Sequence, residues 1–371
     1  MKFTSLMGKS FSIYLDLIRF LAACLVYIYH SNQRLLVNDI LPASNYGHSS
    51  VIVFFVLSGF VIAFITDTRE KNWIDYAASR ISRIYSVAIP AVFITLLLDA
   101  FGRQLYPALY DYPFDQFAAR IGASLMLLNE IWFVSITSFS NVPYWSVTYE
   151  MWYYIGFGMF CFLPGKTKWF FLALLSLFLG PKILLLAPIW MLGVILYHWE
   201  RPKHLSTLTA WLMLVFSTVG IIIFHKIDAT EITAQWFKNN IGPNLFKELT
   251  FSKFFLSDYI LGALVFMNFA AMRLLSDKLN YLFFPIEKPI KFLASFTFSL
   301  YILHQPLFLF WAAVLQGDPT GHYYWIFTTA LVAASVFLIS WVTERKRHVL
   351  RNAVQHSLLK LQAYLKTLKL A

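Results

Sequence analysis

Arg19 and His30, side chains able to do anion and proton chemistry, stand eleven residues apart in an otherwise apolar stretch. At about 100° per residue, eleven steps overshoot three full turns by only roughly 20°. Both therefore point to the same side of a helix, about 16 Å apart along its axis. Asp16 precedes Arg19 by one turn, within reach of an ion pair. An imidazole accepts and returns protons near neutral pH, and a guanidinium grips oxyanions through paired N–H bonds. The stripe of Asp16, Arg19 and His30 reads as the wall of a polar cavity, or as an interfacial ion pair with a histidine at the outer helix end. The helix alone leaves both open.

Further clusters recur downstream. Arg80 and Arg83 share one helical face, a spacing that suits bidentate phosphate contacts or a cytoplasmic topology signal. The run 54–60 contains Ser58 and Gly59, small residues that let a neighbouring helix approach closely. The run 145–150 carries Trp145, Ser146 and Glu150. A carboxylate among aromatics should be paired or protonated, and Trp145 should stack on a substrate ring or join the aromatic belt of the membrane surface. The run 299–306 carries Tyr301 and His304; His304 lies thirteen residues past Lys291, roughly 20 Å into a membrane at helical rise. Ionisable groups at that depth are costly and functional by default. Asp258, a further embedded carboxylate, has no evident partner. Cys24 and Cys161 lie in apolar segments without disulfide or metal-ligand spacing, so no metal is expected.

The elements that must position these groups follow from composition. Of 371 residues, 59% are hydrophobic and only 13% charged, against about 25% charged in soluble domains. The net charge of +11 comes from short basic bursts between apolar runs, which is the layout of a polytopic membrane protein rather than of a nucleic-acid binder. Runs 10–30, 48–66, 82–99, 118–135, 144–163, 169–199, 207–225, 254–275, 291–315 and 323–342 are candidate spans. The run 169–199 is too long for one straight span and is interrupted by Gly180, Pro181 and Pro188. Counting it as one net crossing places all the basic clusters on one side: Lys2 and Lys9; Arg69, Lys71, Arg80 and Arg83; Arg201 and Lys203; Lys278, Lys288 and Lys291; Arg345, Lys346 and Arg347. The expectation is an all-α polytopic membrane protein with about ten net crossings, one of them broken, and both termini cytoplasmic. The connections 31–47, 101–117 and 226–253 then face the far side. Leu21 to Cys24 looks like a lipoprotein cleavage box, but Asp16 and Arg19 interrupt the apolar stretch such a signal needs, so the first span should stay uncleaved. Beyond the embedded unit 1–344, the tail 345–371 places Leu350, Val354, Leu358, Leu361, Leu365 and Leu368 at helical spacing. Arg351, Lys360, Lys366 and Lys369 lie between them, so it reads as an amphipathic helix on the inner leaflet.

In this order and on these segments, the motifs resemble the acyltransferase-3 family of integral membrane O-acyltransferases, from Leu15 to about Glu344. The most specific elements are Arg19 with His30, the run 54–60, the Arg80–Arg83 pair, the run 145–150 and the run 299–304. Departures are Ser86 near the place of a proline, Met151 in place of a second acid after Glu150, Phe298 in place of tyrosine, and no proline close after Glu344.

The resemblance implies transfer of an acyl group, most often acetyl, from acyl-CoA to a hydroxyl. The acceptor is mainly a sugar of a surface glycan such as O-antigen or another polysaccharide, otherwise a lipid-linked sugar or lipid. Acetyl-CoA is then the co-substrate, membrane lipid the surroundings and the bacterial inner membrane the location; no nucleic-acid partner is implied. His30 and Glu150 become the expected catalytic residues, with His30 as general base or as carrier of a transient acyl group. Asp16, Arg19, Ser58, Arg80, Arg83, Trp145, Ser146, Tyr301 and His304 become the expected substrate-binding residues. Arg80 and Arg83 would hold the donor phosphates, and His304 would assist proton transfer or bind the acyl carbonyl. The rival from another class is a secondary transporter, because buried Arg, Asp, Glu and His also line proton pathways. Against it, the sequence has one broken segment and no internal repeat. A non-catalytic partner of a glycan synthase is a third reading.

Overall fold

The computed structural model describes residues 7–38, 41–199 and 205–368. Lys2, Arg201, Lys203 and Lys369 lie outside the described residues, as does the side chain of Leu368. Among the described residues, apart from an isolated bridge between Ser138 and Asn141 and short 3-10 turns, the regular structure is α-helical. The helices are α1 (Lys9–Leu35), α2 (Gly47–Arg69), α3 (Trp73–Leu105), α4 (Phe117–Leu125), α5 (Trp145–Phe162), α6 (Thr167–Leu179), α7 (Pro181–His198), α8 (Thr207–Lys226), α9 (Ala229–Ile241), α10 (Pro243–Glu248), α11 (Phe255–Leu275), α12 (Asn280–Phe283), α13 (Glu287–Ala294), α14 (Thr297–Leu315), α15 (His322–Val342) and α16 (Arg347–Leu368).

The all-helical polytopic class is borne out. Among the described residues, eight helical segments are long and apolar enough to cross a bilayer, built on α1, α2, α3, α7, α8, α11, α14 and α15. The expected span 118–135 is corrected. Its helix stops at Leu125 because Leu127 and Trp132 take left-handed backbone conformations, with φ of 55° and 53°. The chain then runs irregularly to Asn141. Its polar groups are met by protein: Ile136 N donates to Asn129 O at 2.9 Å, and Asn129 Nδ2 to Ile136 O at 2.6 Å. The run 144–163 forms α5, which is not among the eight. The run 169–199 breaks at Gly180 into α6 and α7. Glycine is required there: its φ is +76°, and a Cβ would lie 2.7 Å from the Trp132 backbone. From this point α6 packs on α5 and α7 on α2. The stretch 226–253 is not a plain loop but folds into α9 and α10.

Burial ranks the spans. Two thirds of the most apolar window of α2 and of α14 is buried, against 17% for α8, so the first two form the centre and α8 the rim. The α2–α7 crossing is tight because Gly59 and Gly193 face each other's helices. A Cβ on Gly59 would sit 2.0 Å from Trp190 O, and one on Gly193 2.0 Å from Val56 O. The small patch read at Ser58 and Gly59 thus serves close approach, and it brings the Trp190 indole onto Ser58. At the first turn of α14, Glu344 accepts hydrogen bonds from Ser299 N at 2.9 Å and Ser299 Oγ at 2.8 Å, satisfying a donor the helix leaves unpaired. Lys9 bridges to Glu287 at 2.6 Å, tying α13 to the start of α1. Hydrogen bonds from Lys291 and Lys9 hold the Glu287 carboxyl below its ordinary value.

The irregular segment before α5 is anchored at two places. Asp99 accepts from Ser140 N at 2.9 Å and Ser140 Oγ at 2.6 Å. Glu130 pairs with Lys182 at 2.5 Å, both side chains almost fully buried. These anchors set the entry of α5, and with it Ser146 and Glu150. Asp258, unassigned from sequence, meets His48 Nε2 at 2.9 Å.

Candidate active site

Five helices converge on a small cavity of about 50 Å³. α1 contributes Arg19, α2 Phe54 and Ser58, α3 Arg83, α5 Ser146 and Glu150, and α14 Thr297 and Tyr301. Six residues expected from sequence therefore share one void: Arg19, Ser58, Arg83, Ser146, Glu150 and Tyr301.

The charged end is organised around α1, α3 and α5. Arg19 holds Asp16 at 3.2 Å, as their spacing required; its other neighbouring charges are Arg83, Glu344 and Glu150. The Nε atoms of Arg19 and Arg83 are buried without a hydrogen-bond partner. Glu150 is paired, as a carboxylate among aromatics must be. Its Oε1 accepts from Ser58 Oγ at 2.6 Å and from the Tyr154 hydroxyl. Ser58 also accepts from Trp190 Nε1 at 3.2 Å. The α2–α7 crossing thereby positions Ser58, and Ser58 positions Glu150.

Arg80 is elsewhere. Its guanidinium makes two bonds to Glu70, at 2.6 and 2.8 Å, and lies over the rings of Tyr76 and Tyr154. It is 2% exposed, so its charge is spent on holding α3 to the end of α2. The two arginines of the sequence pair thus divide: Arg83 lines the cavity, while Arg80 is paired with Glu70 and borders a separate, larger hollow between α3 and α5. Arg80→Ala is expected to leave the Glu70 carboxylate buried and unpaired, destabilising by about 3–5 kcal/mol. Arg83→Ala should leave stability near the parent's. Thermal unfolding of both variants in detergent checks this; equal melting would refute the division.

At the opposite end, Ser146 Oγ and the Tyr301 hydroxyl are 2.6 Å apart, and Ser146 Oγ also donates to Pro143 O at 3.2 Å. The imidazoles lie beyond Tyr301. The His30 and His304 rings face each other with centroids 5.3 Å apart, tilted by 40°. His304 Nδ1 donates to Tyr301 O at 2.7 Å, so the tautomer is set and Nε2 carries a bare lone pair. That Nε2 is fully buried without a partner. His30 is half-buried. The cavity reaches Arg19 but its lining does not include His30. The single wall expected from the Arg19–His30 stripe is therefore interrupted by Tyr301, whose aromatic bulk on α14 no reading of α1 alone reveals. Trp145 does not line the cavity; its ring stacks on Phe251 at 4.4 Å with the planes nearly parallel.

Residues 12–345 match the sequence profile of the family described as an acyltransferase domain. The chain belongs to the acyltransferase-3 family. It is accordingly a multi-pass membrane acyltransferase, and the match encloses every residue named at the cavity and at the imidazole pair. No curated protein and no solved structure matches the chain.

Two groups of this acyltransferase site escaped sequence reading. Tyr154, one turn past Glu150, was discoverable as an i,i+4 partner of that acid. Glu344 ends an apolar run and so resembles an ordinary interfacial acid; only the packing of α15 against the start of α14 brings it to Ser299.

Proposed function

We propose that the protein transfers an acyl group, foremost acetyl, from cytoplasmic acyl-CoA to a hydroxyl of a cell-surface glycan, within a bacterial inner membrane and with both termini cytoplasmic. The observation that carries this reading is the alignment of two unlike sites along α1 and α14. Guanidinium groups with unpaired Nε atoms line one end of the void, and an imidazole pair lies just past the other.

The guanidinium end suits the anionic donor, with Arg83 and Arg19 at the mouth and the Glu150 charge nearby. The thioester arm extends toward Tyr301. A sugar hydroxyl is a poor nucleophile at neutral pH, and His30 takes its proton as the oxygen attacks the thioester carbon. The new C–O bond forms, the C–S bond breaks, and the imidazolium returns the proton to the departing thiolate. An acyl-imidazole route divides the same balance into two half-reactions. With Nδ1 committed to a carbonyl, His304 accepts through Nε2 and has no second proton to offer. That favours assistance to His30 in proton transfer over a hydrogen bond to the acyl carbonyl. The Tyr301–Ser146 hydrogen bond must open for the thioester to meet His30.

Purified protein in lipid nanodiscs, given labelled acetyl-CoA and a lipid-linked glycan, should form an ester on a sugar hydroxyl, read by mass and NMR. Oriented vesicles should accept the donor only on the face bearing the termini. No consumption of acetyl-CoA with any glycan offered, or use of the donor only from the other face, would overturn the proposal.

A further inference from the structure

We infer that the C-terminal helix α16, through Arg347 and Arg351, binds the phosphorylated nucleotide end of the thioester donor. The inference rests on the acyl-CoA reading above and extends the donor site from the cavity onto a helix that sequence reading treated as an inner-leaflet tail.

The register of α16 on α3 carries the argument. α16 packs along α3, and Gln355 Nε2 donates to Asp75 Oδ1 at 2.9 Å. Arg347 lies eight residues before Gln355, and Arg83 eight residues after Asp75. The helices run antiparallel, so each arginine lies about 12 Å from this pin and the two stand at the same level. Arg351 falls halfway, opposite the turn that bears Arg80. Positions 347, 351 and 355 succeed one another at intervals of four and so lie along one side of the helix. The charges nearest Arg347 are Arg83, Glu344, Arg351 and Arg80, three of them cations.

Neutralisation within this cluster is incomplete. Arg80 is cancelled by Glu70, and Glu344 leaves one carboxylate beside Arg347 against the cations Arg83 and Arg351. α16 itself contains no Asp or Glu from Arg347 to Leu368. Arg347 and Arg351 are exposed, whereas Arg80 is buried. Guanidiniums gathered at one level repel each other unless an anion stands between them. Planar guanidinium forks at one level suit a ligand with several phosphate groups. Arg83 belongs to both groups, since it lines the cavity and is the α3 residue level with Arg347. A donor laid from α16 past Arg83 would therefore place its nucleotide outside and its arm inside. An anionic lipid headgroup offers the same phosphate chemistry, and the experiment separates the two.

In phosphatidylcholine nanodiscs, the double variant Arg347→Ala/Arg351→Ala is expected to raise KM for acetyl-CoA roughly 10–100-fold with little change in kcat. S-acetylpantetheine lacks the phosphorylated nucleotide, so its KM should be the same in parent and variant. Calorimetric binding of CoA should weaken in step, and Arg347→Lys/Arg351→Lys should recover part of the loss. An unchanged acetyl-CoA KM, or an equal rise for both donors, would overturn the inference. So would an effect that appears only with phosphatidylglycerol present, which would assign the arginines to lipid. A parent protein that neither binds CoA nor consumes acetyl-CoA would instead remove the acyl-CoA reading itself.

Discussion

Replacing His30 with alanine is expected to lower acyl transfer by about 10²–10⁴-fold, the range that positioned general-base catalysis supplies, while expression and thermal unfolding stay near the parent's. The second half of this expectation is as informative as the first. The His30 ring is half-buried and touches Tyr29 and His304, so its removal opens little space. If His30 carries a transient acyl group, the variant should also lose the burst of labelled protein seen when acetyl-CoA is mixed without acceptor. Transfer assays on the purified variant, with protein amount measured in parallel, decide the matter. A normally folded variant that still acylates would remove His30 from the chemistry.

Lys182→Met should be the most damaging single change away from the cavity. Lys182 Nζ donates to Glu130 Oε2 at 2.5 Å and to Val134 O at 2.7 Å. Glu130 also accepts from Ser135 at 2.6 Å and Thr250 at 3.1 Å. The Lys182 and Glu130 side chains are 0% and 2% exposed. Removing the ammonium leaves a buried carboxylate whose hydroxyl partners do not cancel its charge. Breaking such a pair costs about 3–5 kcal/mol. Replacing both partners by apolar residues of similar volume should restore much of the loss, because the desolvation penalty disappears with the charges. Thermal unfolding of Lys182→Met and of Lys182→Met/Glu130→Leu in detergent tests both halves. A single variant that melts with the parent would show that the pair does not hold the segment before α5. Activity should follow stability in this series, since that segment sets the entry of Ser146 and Glu150.

The division between what could be read from the chain and what could not has physical causes in particular residues. Most of the spans were visible because crossing a bilayer demands long apolar runs, and those runs were present. The run 118–135 shows the limit of that argument. Its apolar residues belong to an irregular segment whose backbone is met partly by Asn129 within the run and partly by Lys182, which reaches Val134 O from a distant helix that no local window connects. The Asp16–Arg19 pair and the shared face of Arg19 and His30 were readable because they are one-helix properties, fixed by helical spacing. The different fates of Arg80 and Arg83 were not: they share one helical face by spacing, and only the approach of Glu70 from α2 commits one guanidinium and leaves the other at the cavity.

The amino-acid sequence by itself determined that this is a helical membrane protein of the acyltransferase-3 family, because hydropathy and motif order are properties of the chain taken in line. The tertiary structure alone decided which of its polar groups meet. It set Glu150 on Ser58 and Tyr154, Trp145 against Phe251, Tyr301 between the cavity and the imidazoles, and Arg347 level with Arg83. Apart from the Glu150–Tyr154 bond within α5, each of these joins segments far apart in the chain. Their geometry depends on crossing points and registers, such as the Gly59–Gly193 approach and the Gln355–Asp75 pin, which arise only when the helices pack together.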